Sequence, residues 1–459
     1  MSSDIGIFGL GTMGGNLALQ LVEKGYTVSV YNRTKEKTET FVNKNKSNRL
    51  IPTYSLKEFL NSLCTPRKII LLVKAGNPVD EAIENISHNL EKNDIIIDAG
   101  NSFFRDTDRR YNELKAKGYN FLGLGISGGI EGARKGLSIM AGGSEEGYLE
   151  MKDILNAISA KYGEESCNEY FGKGGAGHFV KMIHNGVEYA IIESISETYF
   201  ILKKNLGLDN EQISNLFYSW NNEELNSFLL YAAVNSLRIK EEKGYLIDFI
   251  LDKAEQKGTG IWTVLTSLEA NEPILGISSA VYSRLISSKK EDRVTYSELI
   301  DLSRTNKTVK LNEEEIKNAL LLSFYLSYIQ GINILKKCQL FSYDFKYQDC
   351  LKVWRNGSII RSKVLLNLYS ISIKENDIIK TDFILNLIKE KVDDFIKTVA
   401  YSMLSHIPCI TLSSNLNYLL SIFYKNLPSN LTQALRDYFG GHGFERIDKK
   451  GIFHIYGIE

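Results

Sequence analysis

Residues 4–34, DIGIFGLGTMGGNLALQLVEKGYTVSVYNRT, decide the fold. A short apolar strand, 4–8, runs into Gly9-Leu10-Gly11-Thr12-Met13-Gly14. A helical pattern follows to Lys24, Gly25 stops it, and a second strand ends at Tyr31. Strand, GxGxxG, helix and strand within about 30 residues is the context in which this glycine pattern carries a dinucleotide. The glycines permit a tight turn and close approach of a pyrophosphate to the helix N-terminus, where free N–H groups and the helix dipole attract an anion. Gly9, Gly11, Thr12, Met13 and Gly14 are the expected cradle.

The end of the second strand selects the cofactor. A carboxylate there would accept from the ribose 2′-OH of NAD and repel a 2′-phosphate. The chain instead has Asn32-Arg33-Thr34, with Lys35 and Lys37 behind. A guanidinium and a hydroxyl suit a phosphate, so NADP is the expected cofactor.

Further out lie the apolar runs KIILLV (68–73), DIIIDA (94–99) and FLGLGIS (121–127). Continuous runs of this kind suit a parallel sheet buried on both faces. The loops that end them, Lys74-Ala75-Gly76, Gly100-Asn101-Ser102 and Ser127-Gly128-Gly129, are expected to wall the nicotinamide and substrate site. In doubly wound folds ligands sit beyond the carboxyl ends of the strands, although Gly and Asn are also plain turn formers. GLSIMAGG (136–143) reads as one more strand and turn.

After Gly177 the periodicity is almost wholly helical, over 178–206, 209–238, 245–257, 278–288, 312–337, 343–373, 380–405 and 415–438. FILKK (200–204) and NILKK (333–337), each ending a long helix, hint at a duplicated half-domain. The expected architecture is an α/β Rossmann-type domain over 1–177, an all-helical domain over 178–438 and a short tail over 439–459.

At the junction, after a cluster of glycines, Lys181, His184, Asn185 and Glu188 stand at relative positions 0, 3, 4 and 7. At about 100° per residue they fall within a sector roughly 100° wide over two helical turns. Phe179, Val180, Met182, Ile183 and Val187 around them leave little surface for water, so the polar stripe is expected to line a cleft. A solvated, salt-bridged face is the alternative for any one of these residues. The four together after a glycine-rich turn favour the cleft.

Composition sets outer limits. The chain has 459 residues, 43% hydrophobic and 24% charged, with 55 Lys+Arg against 55 Asp+Glu. Zero net charge gives no general attraction for nucleic acid or an anionic membrane. The five cysteines are widely spaced and lack a CxxC pair, which points to a reducing compartment without a disulfide framework or zinc site. There is no signal-like N-terminus and no stretch of about 18 uninterrupted apolar residues. The expectation is a soluble, cytoplasmic protein without nucleic-acid or membrane partners and without a metal site.

The segments GLGTMG, YNRT, IILLVKAG, DIIIDAGNS, GISGG, GAGHFVKMIHNGVEY, QKGTGIW, YSRLISS, WRNGSIIRS and LTQALRDYFGGH occur in that order over nearly the whole chain. In order and spacing they closely resemble the 6-phosphogluconate dehydrogenase family. The resemblance implies oxidative decarboxylation of 6-phospho-D-gluconate to D-ribulose 5-phosphate and CO2 with reduction of NADP, in the oxidative pentose phosphate pathway. It also implies a homodimer in which the partner's C-terminal segment completes each active site.

Carried over residue by residue, the resemblance makes Lys181 the general base and later acid, and Glu188 the acid that protonates the enediol. His184 and Asn185 orient the substrate, Ser127, Gly128 and Gly129 hold its carboxylate, and Asn101 faces both substrate and cofactor. Tyr189, Lys257, Thr259 and Arg284 resemble the phosphate ligands, with Arg436 and His442 arriving from the partner. Gly9, Gly11, Gly14, Asn32, Arg33, Thr34 and Lys74 match the cofactor side, with Thr12, Met13, Val73 and Ala75 beside them. The chain departs from the family at Ala141, where Pro is usual, at Ala190-Ile191 in place of Gly-Asp, and at Ser279 in place of Glu. These departures bear on packing more than on chemistry. A β-hydroxyacid dehydrogenase for a smaller acid would have a shorter helical part and no need of Lys257, Arg284 and Arg436; a catalytically silent NADP-binding protein would not need Lys181, Asn185 and Glu188 together.

The chemistry makes one physical demand. To accept a hydroxyl proton Lys181 must be neutral, so burial must bring it down from about 10.4 by about 2 to 3 pH units.

Overall fold

The computed structural model describes residues 2–256, 258–303 and 309–456. Seven strands, β1 (Ile5–Phe8), β2 (Val28–Tyr31), β3 (Leu50–Pro52), β4 (Lys68–Leu71), β5 (Ile95–Asp98), β6 (Asn120–Ser127) and β7 (Ser138–Gly143), join a last strand, Asn168–Tyr170, in one sheet. Its order is Asn168–Tyr170, β7, β6, β5, β4, β1, β2, β3. Neighbours run parallel except β6 and β7, which pair antiparallel. Ile5, Ile7, Val28, Val30, Ile69, Ile70, Ile96 and Ile97 are all fully buried, as expected for a sheet covered on both faces. The strand order reverses between β1 and β4, so the crevice opens beyond their carboxyl ends. Strand β3 escapes the sequence pattern because it is only three residues long. It lies at the sheet edge, where the missing N–H of Pro52 leaves no central ladder bond unmade.

A 30-residue helix, Ala176–Asn205, leaves this sheet and becomes the spine of the helical part. It meets the sheet backbone to backbone. A Cβ on Gly125 of β6 would stand 2.3 Å from the Lys181 Cβ, and one on Gly177 would stand 2.4 Å from the Met140 carbonyl oxygen. Glycine at both contacts lets the helix settle onto β6 and β7 and sets the height of Lys181 above the strand ends. On its other side the spine packs against Glu313–Leu335, which packs in turn against Asp382–Leu404. Glu313–Leu335 is long and apolar enough to cross a membrane, yet 94% of its apolar window is buried inside the protein, as a core helix requires.

Several predicted helices are divided. The periodic stretch 209–238 forms Asn210–Asn221 and Phe228–Arg238, separated where the Asn221 side chain accepts from the Ser227 N–H and Ser227 caps the second helix. The stretch 343–373 forms Tyr347–Trp354 and Lys363–Ser372 around a loop over 355–362, and 415–438 forms Ile410–Phe423 and Ser429–Gly440. The helix expected over 245–257 is absent among the described residues: a hairpin (Lys240–Glu241 with Gly244–Tyr245) leads into the short 3-10 turn Leu246–Phe249. Asp248 there is held by Lys203 of the spine and Asn210 of the next helix, each at 2.7 Å, so tertiary contacts override local propensity. Thr259–Glu269 and Lys290–Leu299 are helices that the periodicity did not reveal. All five cysteines are free thiols.

Candidate active site

At the nucleotide end, Gly9 takes φ +107°, and a Cβ on Gly14 would lie 1.9 Å from the Gly9 carbonyl oxygen, so the loop turns tightly into the helix Thr12–Glu23. A Cβ on Gly11 would meet nothing within 4 Å, and the first helical turn carries no acidic residue. That leaves a cradle of N–H groups open to an anion. The Asn32 Oδ1 accepts from the Leu10 N–H (3.2 Å) while its Nδ2 donates to the Thr34 carbonyl (3.2 Å), tying this loop to the Asn-Arg-Thr turn. Arg33 is exposed and makes no hydrogen bond or ion pair among the described residues. The donor set, an N–H cradle with a free guanidinium beside it, fits a dinucleotide carrying a 2′-phosphate.

The walls beyond β4 and β5 are braced from beneath. Asp98 accepts from the Gly100 N–H (3.0 Å) and the Ser102 hydroxyl (2.6 Å), a turn that presents Asn101 outward. Buried Arg110 donates to the Gly76 carbonyl (3.1 Å) and forms two 2.8 Å bonds to Asp80, fixing the loop that holds Val73, Lys74 and Ala75.

The polar stripe is enclosed, as expected. The Lys181 Nζ lies 3.2 Å from the His184 Nδ1, which is also 3.2 Å from the Asn185 Oδ1 and 3.9 Å from a Glu188 oxygen. The His184 Nε2 reaches the Ser127 Oγ at 3.0 Å and the Ser358 Oγ at 2.8 Å, and its ring meets Trp354 edge-on. Burial brings Lys181 down to about 8, against the opposing pull of Glu188. Burial, and then the charge of Lys181, hold His184 well below its ordinary range, so its ring is neutral. Burial raises Glu188 above the usual carboxylate range, with Lys181 and Arg284 pulling the other way. An amine pushed toward its neutral form and a carboxyl pushed toward its protonated form therefore share a helix face. The Glu188 side chain retains 18% exposure, so it borders the opening.

Next to Glu188 in the chain, Tyr189 stacks its ring 3.4 Å from the guanidinium of Arg284, on the helix Leu275–Ser288. Gly260, beside Thr259, packs against the same ring so closely that a Cβ would be 2.6 Å away. The Thr263 hydroxyl donates to the Met182 carbonyl (2.9 Å) and binds the Thr259–Glu269 helix to the spine. A cationic corner thus stands beside the stripe.

Residues 4–172 match the family model of the NAD binding domain of 6-phosphogluconate dehydrogenase, and residues 177–456 match that of the 6-phosphogluconate dehydrogenase C-terminal domain. The chain belongs to the 6-phosphogluconate dehydrogenase family. It is similar to the decarboxylating 6-phosphogluconate dehydrogenase of Escherichia coli (strain K12), 43% identical with 99% of both chains covered. It is also similar to the NADP(+)-dependent, decarboxylating enzyme of Bacillus subtilis (strain 168), 42% identical with 98% of both covered. The fold matches the Plasmodium falciparum 6-phosphogluconate dehydrogenase, described in complex with its cofactor NADP+ and with its substrate 6-phosphogluconate. There the TM-score is 0.92 at 37% identity, with 99% of this chain and 100% of that one covered.

Against the family pattern, the structure brings Ser127, Gly128, Lys181, His184, Asn185 and Glu188 to one place, with Tyr189, Thr259 and Arg284 adjoining. Lys257 lies outside the described residues. Arg436 and His442 sit on the C-terminal helix and the turn after it, and Arg436 bonds only to Gln433 at 3.1 Å among the described residues. The departures are absorbed by packing: Ala141, Ala190 and Ile191 are buried, and the Ser279 hydroxyl donates to the Gly276 carbonyl (2.8 Å) and reaches Thr411. Ser358, which touches His184, was not singled out by the sequence pattern. The signal was Asn356-Gly357, a turn pair inside a stretch otherwise read as one helix.

Proposed function

We propose a division of labour for the NADP-dependent oxidative decarboxylation of 6-phosphogluconate that family membership assigns to this enzyme. Gly9, Gly11, Thr12, Met13 and Gly14 hold the pyrophosphate, Arg33 and Thr34 with Asn32 hold the 2′-phosphate, and Val73, Lys74, Ala75 and Asn101 wall the nicotinamide. Bound NADP supplies the hydride acceptor. Neutral Lys181 takes the proton of the substrate hydroxyl as hydride leaves. Protonated Lys181 then donates to the resulting keto oxygen, which takes up the electron pair released with CO2. Glu188, whose burial favours the protonated form, delivers a proton to the enediol carbon. His184 and Asn185 orient the substrate, Ser127, Gly128 and Gly129 receive its carboxylate, and Tyr189, Lys257, Thr259 and Arg284 receive its phosphate.

The observation that carries this reading is the opposed pair on one enclosed face, Lys181 down to about 8 and Glu188 raised. A spectrophotometric assay of NADPH formation with 6-phosphogluconate, beside 3-hydroxyisobutyrate and beside NAD, tests it. Reduction with the phosphorylated acid alone supports the assignment, and none with that acid would sink it.

The same reading makes the protein a cytoplasmic homodimer of the oxidative pentose phosphate pathway, with Arg436 and His442 completing the partner's site. Support comes from the tail. Among the described residues, every hydrogen bond, ion pair and ring contact of 428–456 stays within it, with Asp437 accepting from Gly443, Ile455 and His454. Leu431 and Phe439 on its helix remain 62% and 74% exposed. Leu265, Leu268, Tyr282 and Leu299 leave further apolar surface exposed on the helices Thr259–Glu269, Leu275–Ser288 and Lys290–Leu299. A second copy covers these faces, and the part that serves the partner then begins near 428, ahead of the expected 438/439 boundary, which falls inside the helix Ser429–Gly440.

A further inference from the structure

The His184 imidazole is enclosed, and each ring nitrogen has two neighbours: Ser358 and Ser127 at Nε2, Lys181 and Asn185 at Nδ1. Its tautomer is decided by whichever neighbour has no alternative. At Nε2, once a ligand engages Ser127, Ser358 is that neighbour. Its side chain is 0% exposed, and its oxygen already accepts from the Ile360 N–H at 3.2 Å. Among the described residues the His184 Nε2, 2.8 Å away, is the only partner for its hydroxyl proton. A buried donor left unpaired is costly, so Ser358 donates and Nε2 accepts. A neutral imidazole then carries its proton on Nδ1, where the Asn185 Oδ1 takes it.

This arrangement reaches the base. The Lys181 Nζ, 3.2 Å from Nδ1, faces an N–H and not a lone pair, so its ammonium form finds no acceptor on the ring. Ser127, whose oxygen accepts from the Ile359 N–H at 3.2 Å, turns its proton toward Nε2 at 3.0 Å until a ligand takes it. We infer that Ser358 is a positioning residue that fixes the Nδ1–H tautomer of His184 and thereby keeps Lys181 in its basic form. The inference rests on the assignment of Lys181 as the base.

The loop that carries Ser358 is built to hold it still. Arg355 is ion-paired to Glu165 and lies between the Tyr162 and Tyr369 rings, 4.6 and 4.5 Å from their centres. Gly357, at φ +70°, packs where a Cβ would come within 2.7 Å of Ala160 and Leu137. Trp354 donates to the Met140 sulfur at 3.3 Å. The charges that act on Lys181 and His184 are those of the spine itself, with Glu188, and of Arg284 on Leu275–Ser288, which acts on Glu188. Strand β6 and the 355–360 loop present hydroxyls, the helix Tyr347–Trp354 presents the Trp354 ring, and Arg355 is turned away toward Glu165.

The test is the pH dependence of kcat for Ser358→Ala at saturating 6-phosphogluconate, where the substrate engages Ser127 and prevents it from standing in. Without the Ser358 donor, Nε2 takes the proton and Nδ1 becomes an acceptor for the Lys181 ammonium. The acidic limb is then expected to move up by about 0.5 to 1 pH unit. Ser358→Cys, close in size with a weaker donor, is expected to move it the same way by less. Thermal melting and NADP affinity verify the fold of each variant, and the Cys variant carries the test if the Ala variant does not fold. A limb within about 0.2 pH unit of wild type, or one moved down, overturns the inference. An error in the base assignment would show separately, as retained turnover in Lys181→Ala.

Discussion

The catalytic stripe and the C-terminal tail satisfy their polar groups in opposite ways. His184 is held by Ser127 and Ser358, which lie 57 and 174 residues away in the chain. Asp437, the hub of the tail, accepts from Gly443 and Ile455, only 6 and 18 residues away. The first pattern is a site locked by the whole fold, with its titration already set. The second is a module that folds on itself and leaves its apolar side uncovered. A change in the stripe should therefore act on the chemistry, and a change in the tail on substrate capture and assembly.

The strongest way to break that contrast is Lys181→Ala. Loss of a general base typically lowers turnover about 10²- to 10⁴-fold, while NADP affinity by fluorescence titration should stay within about twofold of wild type, because the cradle lies elsewhere. Retention of more than about a tenth of the turnover would remove Lys181 from its role. Arg436→Ala probes the other side: KM for 6-phosphogluconate should rise about 10- to 100-fold, as for loss of a charge-assisted phosphate contact, with thermal stability unchanged. A lowered melting temperature at an unchanged KM would make the tail structural. Arg33→Ala should weaken NADP about tenfold or more and leave NAD nearly unaffected, and equal losses would contradict the 2′-phosphate role. The smallest effect belongs to Gly125→Ala. Its Cβ would press on Lys181 at 2.3 Å, and overpacking of this kind costs about 1 to 3 kcal/mol in urea unfolding. A neutral result would mean that the spine does not rest on β6 as closely as described.

These two regions also divide what the sequence can reveal. The Gly9–Gly14 loop and the stripe are local patterns, one a turn between strand and helix and the other a 3.6-residue repeat, so both are visible within a dozen residues. The expected lowering of Lys181 follows from its apolar neighbours on the same helix. Ser358 was hidden because its contact is made through tertiary packing and its loop interrupts a stretch with helical periodicity on both sides. The 3-10 turn Leu246–Phe249, inside the helix expected over 245–257, was misread for a related reason: Asp248 is anchored by Lys203 and Asn210, groups outside any local window. Strand β3 is too short for periodicity to register.

The acidic limb of kcat/KM for 6-phosphogluconate reports the protonation of Lys181 most directly. Only neutral Lys181 accepts the proton, so activity rises with pH as the lysine deprotonates. The predicted limb levels off with an apparent pKa of about 8. A limb near about 6.5, the range of an imidazole, or near about 10.4, the range of an unburied lysine, would contradict it.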